Sequence, residues 1–136
     1  MATDRPSHAA PLLRDPRQRP TTVRARAQLY AEAVQIIEAE YDTDLELGEI
    51  ARRIATSRRQ LQRAFAEIGG APFRAHLTRV RMARAAELLA AGELTVREVA
   101  HAVGYRQPAQ FAKSFRGRYG ELPSAYRARR RATPRS

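Results

Sequence analysis

The sequence predicts an all-α fold of about seven helices, arranged as two similar lobes on a long central helix. Apolar residues recur at helical spacing between residues 21 and 127, with no stretch of strand-like alternation. Glycines, prolines and hydroxyl residues interrupt that pattern where helix ends need them. The second half of the chain also repeats the first.

Residues 1–20 hold Pro6, Pro11, Pro16 and Pro20 among Arg5, Arg14, Arg17 and Arg19. Prolines at that density exclude a helix and little apolar content is left to fold, so a flexible basic arm is expected. Thr21 or Thr22 can cap a first helix whose apolar face reads Tyr30, Val34, Ile37 and Tyr41. A short second helix near 46–55 turns Leu47, Ile50, Ala51 and Ile54 inward. Thr56-Ser57 makes a turn and an N-cap, because either hydroxyl can accept from free amides of the next helix. That third helix, over 58–68, is expected to bury Leu61, Phe65 and Ile68, and Gly69-Gly70 ends it. These elements make a first lobe, 21–71.

A linker helix follows across 72–92, with Phe73, Leu77, Val80, Leu88 and Leu89 apolar and Gly92 closing it. Thr95 caps a short helix through Val96, Val99, Ala100 and Val103, which stops at Gly104. Pro108 sits in the first turn of the next helix, where a missing amide is tolerated. That helix carries Phe111, Phe115 and Tyr119 before Gly120. Pro123-Ser124 open a last short helix with Tyr126, completing a second lobe, 93–127. Residues 128–136, with Arg129, Arg130, Arg131 and Arg135, are expected to be a basic tail, fraying from Arg127 onward.

Laid on itself at a shift of 50 residues, the chain matches Leu61 to Phe111, Phe65 to Phe115, Gly70 to Gly120 and His76 to Tyr126. Upstream the shift is 49, and Glu49-Ile50-Ala51 falls on Glu98-Val99-Ala100. Each copy is a short helix, a turn, and a longer helix with a polar outer face. That is the helix-turn-helix plan, in which the second helix enters the major groove and the first braces it. The turn favours a residue tolerant of positive φ; the second copy supplies Gly104, the first only Ala55. The expected fold is thus two helix-turn-helix subdomains joined by a long central helix. A linker of this length is about 30 Å long, close to the roughly 34 Å between successive major-groove faces of B-DNA. One monomer could then read a long asymmetric site.

Charge points to the same class of partner. Lys+Arg is 25 against Asp+Glu 14, a formal net charge of +11, and every basic residue but Lys113 is arginine. Such a balance predicts a polyanion, and the arginine fork suits phosphate and guanine edges. A GC-rich genome also raises arginine usage, but it does not account for the net charge. There is no cysteine, which removes disulfides, zinc ribbons and thiol catalysis together. No run is long and apolar enough for a membrane span, and the N-terminus lacks the apolar core of a secretory signal, so a cytoplasmic, nucleoid-associated protein is expected. His8, His76 and His101 are isolated, with no metal-ligand spacing and no glycine-rich phosphate loop. The acids Asp42, Asp44, Glu46 and Glu49 gather near a helix start, where they favour its dipole. No enzyme, metal or cofactor is expected.

The second unit reads Gly104-Tyr105, Phe111, Phe115, Tyr119-Gly120, Pro123 and Tyr126-Arg127. This resembles the signature of the AraC/XylS family of bacterial regulators. The first unit resembles the family in Ser57, Leu61-Gln62-Arg63, Phe65, Gly70, Arg81-Met82 and Ala85. At this length no effector domain is expected, and in that respect the sequence resembles the single-domain branch typified by MarA and SoxS. That resemblance implies a monomer on double-stranded DNA, activation through contact with RNA polymerase, and control by abundance.

By family position, Arg59, Gln62 and Arg63 resemble base readers and Arg58 a phosphate contact, with Ser57 beside it. Arginine can pair bidentately with guanine and glutamine with adenine. On the second recognition helix the candidate readers are Gln107, Ala109, Gln110 and Lys113. Pro108 and Ala109 cannot make bidentate base contacts, although Ala109 can touch a thymine methyl. This unit is therefore expected to read sequence weakly and to hold phosphates through Arg106, Lys113 and Arg116. Phe111, Phe115, Tyr119 and Tyr126 could stack on unpaired bases, but their spacing points to the core. A non-specific architectural or RNA binder, or a partner-binding adaptor, remains open on charge and fold.

Overall fold

The computed structural model describes residues 19–132, with side chains from 22 to 131. Among these residues the chain is helical throughout: α1 (Arg19–Glu40), α2 (Leu47–Arg53), α3 (Arg58–Ala64), α4 (Phe73–Ala91), α5 (Val96–Ala102), α6 (Pro108–Tyr119) and α7 (Pro123–Ala132). A single π turn, Phe65–Gly69, continues α3. The expected all-α plan of two lobes on a central helix is the one observed.

Two separate cores hold it together. The first gathers Ala33, Ile37, Ile50, Leu61, Phe65 and Leu77 from α1 to the first half of α4. The second gathers Met82, Leu89, Val99, Val103, Phe111 and Phe115 from the second half of α4 onward. Fully burying each large side chain contributes roughly 1.5–3 kcal/mol. The division falls on α4 between Leu77 and Met82, where residues 78–81 are only half-buried. Tyr41 packs against both cores.

The repeat is visible in three dimensions. Ala51 and Ala100 are both buried, where each bracing helix meets its recognition helix. The Phe65 and His76 rings meet edge to face at 5.8 Å and 77°, the Phe115 and Tyr126 rings at 5.3 Å and 75°. Both turns take positive φ, Ala55 at 61° and Gly104 at 96°. The aromatic residues of α6 are core, with Phe111 and Phe115 wholly buried.

The structure departs from the sequence expectations in four places. Helix α1 begins at Arg19, ahead of the threonines, because a proline in the first turn costs no hydrogen bond. Residues 1–18, most of the expected basic arm, lie outside the described residues. The centre of the α1 stripe is Ala33 and Ile37, with Tyr30, Val34 and Tyr41 half-buried at its edges. Ile68 is exposed rather than core. The π turn advances each residue by a smaller angle than an α-helix, so Ile68 falls behind the Leu61–Phe65 stripe.

The fourth difference is at the C-terminal end. Helix α7 continues to Ala132, through the stretch expected to fray. Arg127 donates to the Leu94 carbonyl, Arg131 to the Gly92 carbonyl at 3.2 Å, and Arg129 to Glu121 at 2.6 Å. Three arginines in the last turn also favour the helix dipole. Residues 133–136 lie outside the described residues.

Candidate nucleic-acid interface

Each recognition helix is held by its inward stripe and offers what remains. On α3, Leu61 and Ala64 are wholly buried, as is Phe65 just beyond it. Arg58, Arg59, Gln62 and Arg63 are all exposed. On α6, Phe111 and Phe115 face in while Ala109, Gln110, Lys113 and Arg116 are exposed, with Arg106 and Gln107 just before it. All the candidate contact residues therefore lie on exposed positions of the two recognition units.

The helix starts differ in a telling way. The bracing helices carry an acid in the first turn, Glu49 in α2 and Glu98 in α5, where it complements the dipole. Glu98 also closes a capping box with Thr95, at 2.8 and 3.0 Å. The recognition helices carry no acid there. Helix α3 instead opens on Arg58 and Arg59, which oppose the positive end of the dipole. That arrangement costs stability in the free protein, and an anion at the same place would offset it.

Ser57 supplies the N-cap, its hydroxyl oxygen accepting from the Gln60 amide at 3.0 Å. The hydroxyl proton remains available to a phosphate oxygen. Gln107 occupies the N-cap position of α6 but makes no capping bond, and Pro108 fills the first helical position. The side chain of Gln107 is thus not committed to capping.

Some of the arginines are held in ion pairs. Arg52, Arg53, Arg84 and Arg129 are paired with Glu49, Glu40, Glu87 and Glu121. Among the described residues, Arg58, Arg59, Arg106, Lys113 and Arg116 have no carboxylate within 4.0 Å. Arg63 is intermediate, its Nε 3.9 Å from a Glu67 carboxylate that Arg26 of α1 also holds. Glu67 can therefore orient Arg63 without neutralising it. The two recognition units thus carry exposed cations that no acid neutralises.

The central helix has 19 residues, a rod about 28 Å long. Along the chain it joins the first recognition unit to the second. Among the described residues, no helix is long and apolar enough to cross a membrane, and no cluster of three metal-ligating side chains occurs. Of the three histidines, His76 is core, buried against Tyr30 and Phe65.

Two groups escaped the sequence reading. Glu67 was legible only as one more acid four residues beyond Arg63, and its partner Arg26 lies 41 residues away. Arg81, on the middle of α4, appeared in the sequence as one half of a motif pair with no stated role. In the structure it bonds two carbonyls beyond α1.

Comparison with known proteins bears on this geometry. A model described as a helix-turn-helix domain matches residues 50–129. The regulatory protein PocR of Salmonella typhimurium is 33% identical over 95 residues, covering 70% of this chain and 31% of that one. The Msm operon regulatory protein of Streptococcus mutans is 29% identical over 93 residues, covering 68% and 34%. The chain thus spans about a third of the length of these two curated relatives. Among solved structures, an AraC-type regulator of Chromobacterium violaceum superimposes with a TM-score of 0.73 at 29% identity, covering 79% of this chain and 96% of that one. The DNA-binding domain of AdpA, a global transcriptional factor solved with a target DNA, gives 0.72 at 32% identity, covering 76% and 93%. With two helix-turn-helix units in the same arrangement, the chain belongs to the AraC/XylS family of DNA-binding transcriptional regulators.

Proposed function

We propose that the chain reads a specific, asymmetric double-stranded DNA site as a monomer, placing α3 and α6 in adjacent major-groove turns. The observation that carries this reading is the pair of exposed recognition helices, neither with an acid in its first turn, in two units joined by one 19-residue helix. Most sequence information is read by Arg59, Gln62 and Arg63 of the first unit. Each good bidentate pair would add roughly 1–3 kcal/mol of discrimination against the wrong base. In the second unit Gln107, Ala109, Gln110 and Lys113 face the bases, with weaker discrimination. Ser57, Arg58, Arg106 and Arg116, with help from Lys113, hold phosphates and set the register.

We read the regulator as a cytoplasmic, nucleoid-associated activator that contacts RNA polymerase from the DNA. The family resemblance supports that part.

The test is selection of binding sites from a random duplex pool of about 30 base pairs at about 150 mM salt, where phosphate contacts are not exaggerated. It is run with the wild type and an Arg59→Ala/Gln62→Ala/Arg63→Ala variant. The expected outcome is a strong half-site that disappears in the variant and a weaker half-site about one helical turn away. If no sequence is enriched, binding is driven by the DNA backbone, and an architectural or adaptor role replaces this reading.

A further inference from the structure

The two lobes have separate cores, yet their recognition helices must be held at one separation and one angle to meet adjacent groove turns. We propose that Arg81 sets this geometry: it is a positioning residue that locks the two recognition units to each other and so fixes the half-site spacing the chain accepts. The inference rests on the two-unit reading of the site proposed above.

Arg81 is the ninth of the 19 residues of α4, just before Met82 begins the second core. Its Nε donates to the Tyr41 carbonyl at 2.7 Å and its Nη2 to the Thr43 carbonyl at 2.8 Å. These carbonyls follow the C-terminal end of α1, where a cation is favoured by the dipole. The same guanidinium lies over the Tyr105 ring, 5.6 Å from its centroid. The turn of the second unit is pressed against both partners. A Cβ built on Gly104 would stand 3.1 Å from the Tyr41 carbonyl oxygen and 3.2 Å from Arg81.

These contacts form a continuous path between the recognition helices. Helix α3 packs on α1, and Arg81 ties the end of α1 to the turn that leads into α6. Besides α4 itself, Tyr41 is the one described hydrophobic side chain packed against both cores. A planar fork with fixed donors is suited to such a bridge, whereas a flexible ammonium is not.

The repeat supplies an internal control. At the shift of 50 residues, Arg81 falls on Arg131, which donates to the Gly92 carbonyl at the C-terminal end of α4. The two arginines therefore make the same kind of contact with the end of the first helix of their own lobe. Only Arg81 also meets the other lobe, because α4 is shared between them.

The experiment uses the full chain with Arg81→Lys, Arg81→Met and Arg131→Met variants. Affinities are measured for the selected site, for duplexes whose two half-sites are moved apart or together in single base-pair steps, and for the first half-site alone. Wild type and Arg131→Met are expected to favour one spacing sharply. Both Arg81 variants are expected to lose about tenfold at that spacing, to flatten the preference, and to keep half-site affinity.

A second readout needs no DNA. The chain has no cysteine, so spin labels at Gln60→Cys on α3 and Arg118→Cys on α6 report one distance. Its distribution should be narrow in wild type and Arg131→Met and broaden in the Arg81 variants, Arg81→Lys serving if Arg81→Met fails to fold. Unchanged spacing preference and an unchanged distance distribution would overturn the proposal. A wild type that selects no two-part site refutes the two-unit reading instead, and the label distance still decides whether Arg81 locks the lobes.

Discussion

The turns of the two units pose one backbone problem and solve it with different residues, so exchanging glycine and alanine between them gives opposite expectations. Ala55 sits at φ 61°, where a Cβ crowds the following carbonyl at a cost of about 1–2 kcal/mol. Its side chain is exposed, so Ala55→Gly loses no packing. Glycine gives back roughly 0.5–1 kcal/mol through the greater freedom of the unfolded chain. The net expectation is a stabilisation of about 0.5–1 kcal/mol, or a rise in Tm of about 2–6 °C for a domain of this size. Gly104→Ala meets the same strain at φ 96°, and its Cβ must also stand 3.1 Å from a backbone oxygen. It should destabilise by about 2 kcal/mol or more. Thermal and urea unfolding followed by far-UV circular dichroism measures both. An Ala55→Gly chain that melts lower than wild type would refute the reasoning, since no lost contact is available to explain it.

Three further outcomes follow from particular contacts. Gly69→Ala would place a Cβ 2.5 Å from the Tyr30 ring and push it off Phe65. The overpacking should cost about 1–3 kcal/mol in the same unfolding assay. Burial first, and then the charge of Arg79, lower the pKa of His76, whose Nδ1 accepts from Arg79 at 3.1 Å and so stays unprotonated. Below about pH 6.5 the unfolded chain therefore binds this proton first. Stability should fall as the pH drops from there to the folded-state pKa, and His76→Tyr, which copies Tyr126, should remove that part of the pH dependence. Arg106→Ala and Arg116→Ala should each reduce the log-log salt slope of DNA binding by about 1 while weakening all sequences alike. A sequence-selective loss in a filter-binding or anisotropy titration would instead make the residue a base reader.

What was legible in the sequence was whatever a local pattern encodes. The inward stripe Leu61–Phe65 and its copy Phe111–Phe115 left Arg58, Arg59, Gln62 and Arg63 outside without knowledge of the partner elements. Thr95 and Ser57 announced helix starts because a cap is a contact three residues long. Even the strained turn could be placed, since Gly104 marked the position that Ala55 must copy. Ile68 was misplaced because a π turn changes the period by one residue, which no run of side chains advertises. The C-terminal arginines looked like a solvated tail because their carbonyl partners at Leu94 and Gly92 lie more than 30 residues back.

The same limit governs function. Which side chains face the DNA is a property of one helix and can be read along it. On the reading proposed above, the separation of half-sites those side chains accept is set by the junction among Tyr41, Arg81 and Gly104, residues that are 23 to 63 positions apart. Two chains with identical recognition helices but different junctions would read the same half-sites at different spacings. Exchanging residues of α3 and α6 should therefore redirect the letters of the site, and only changes at the junction should redirect its length.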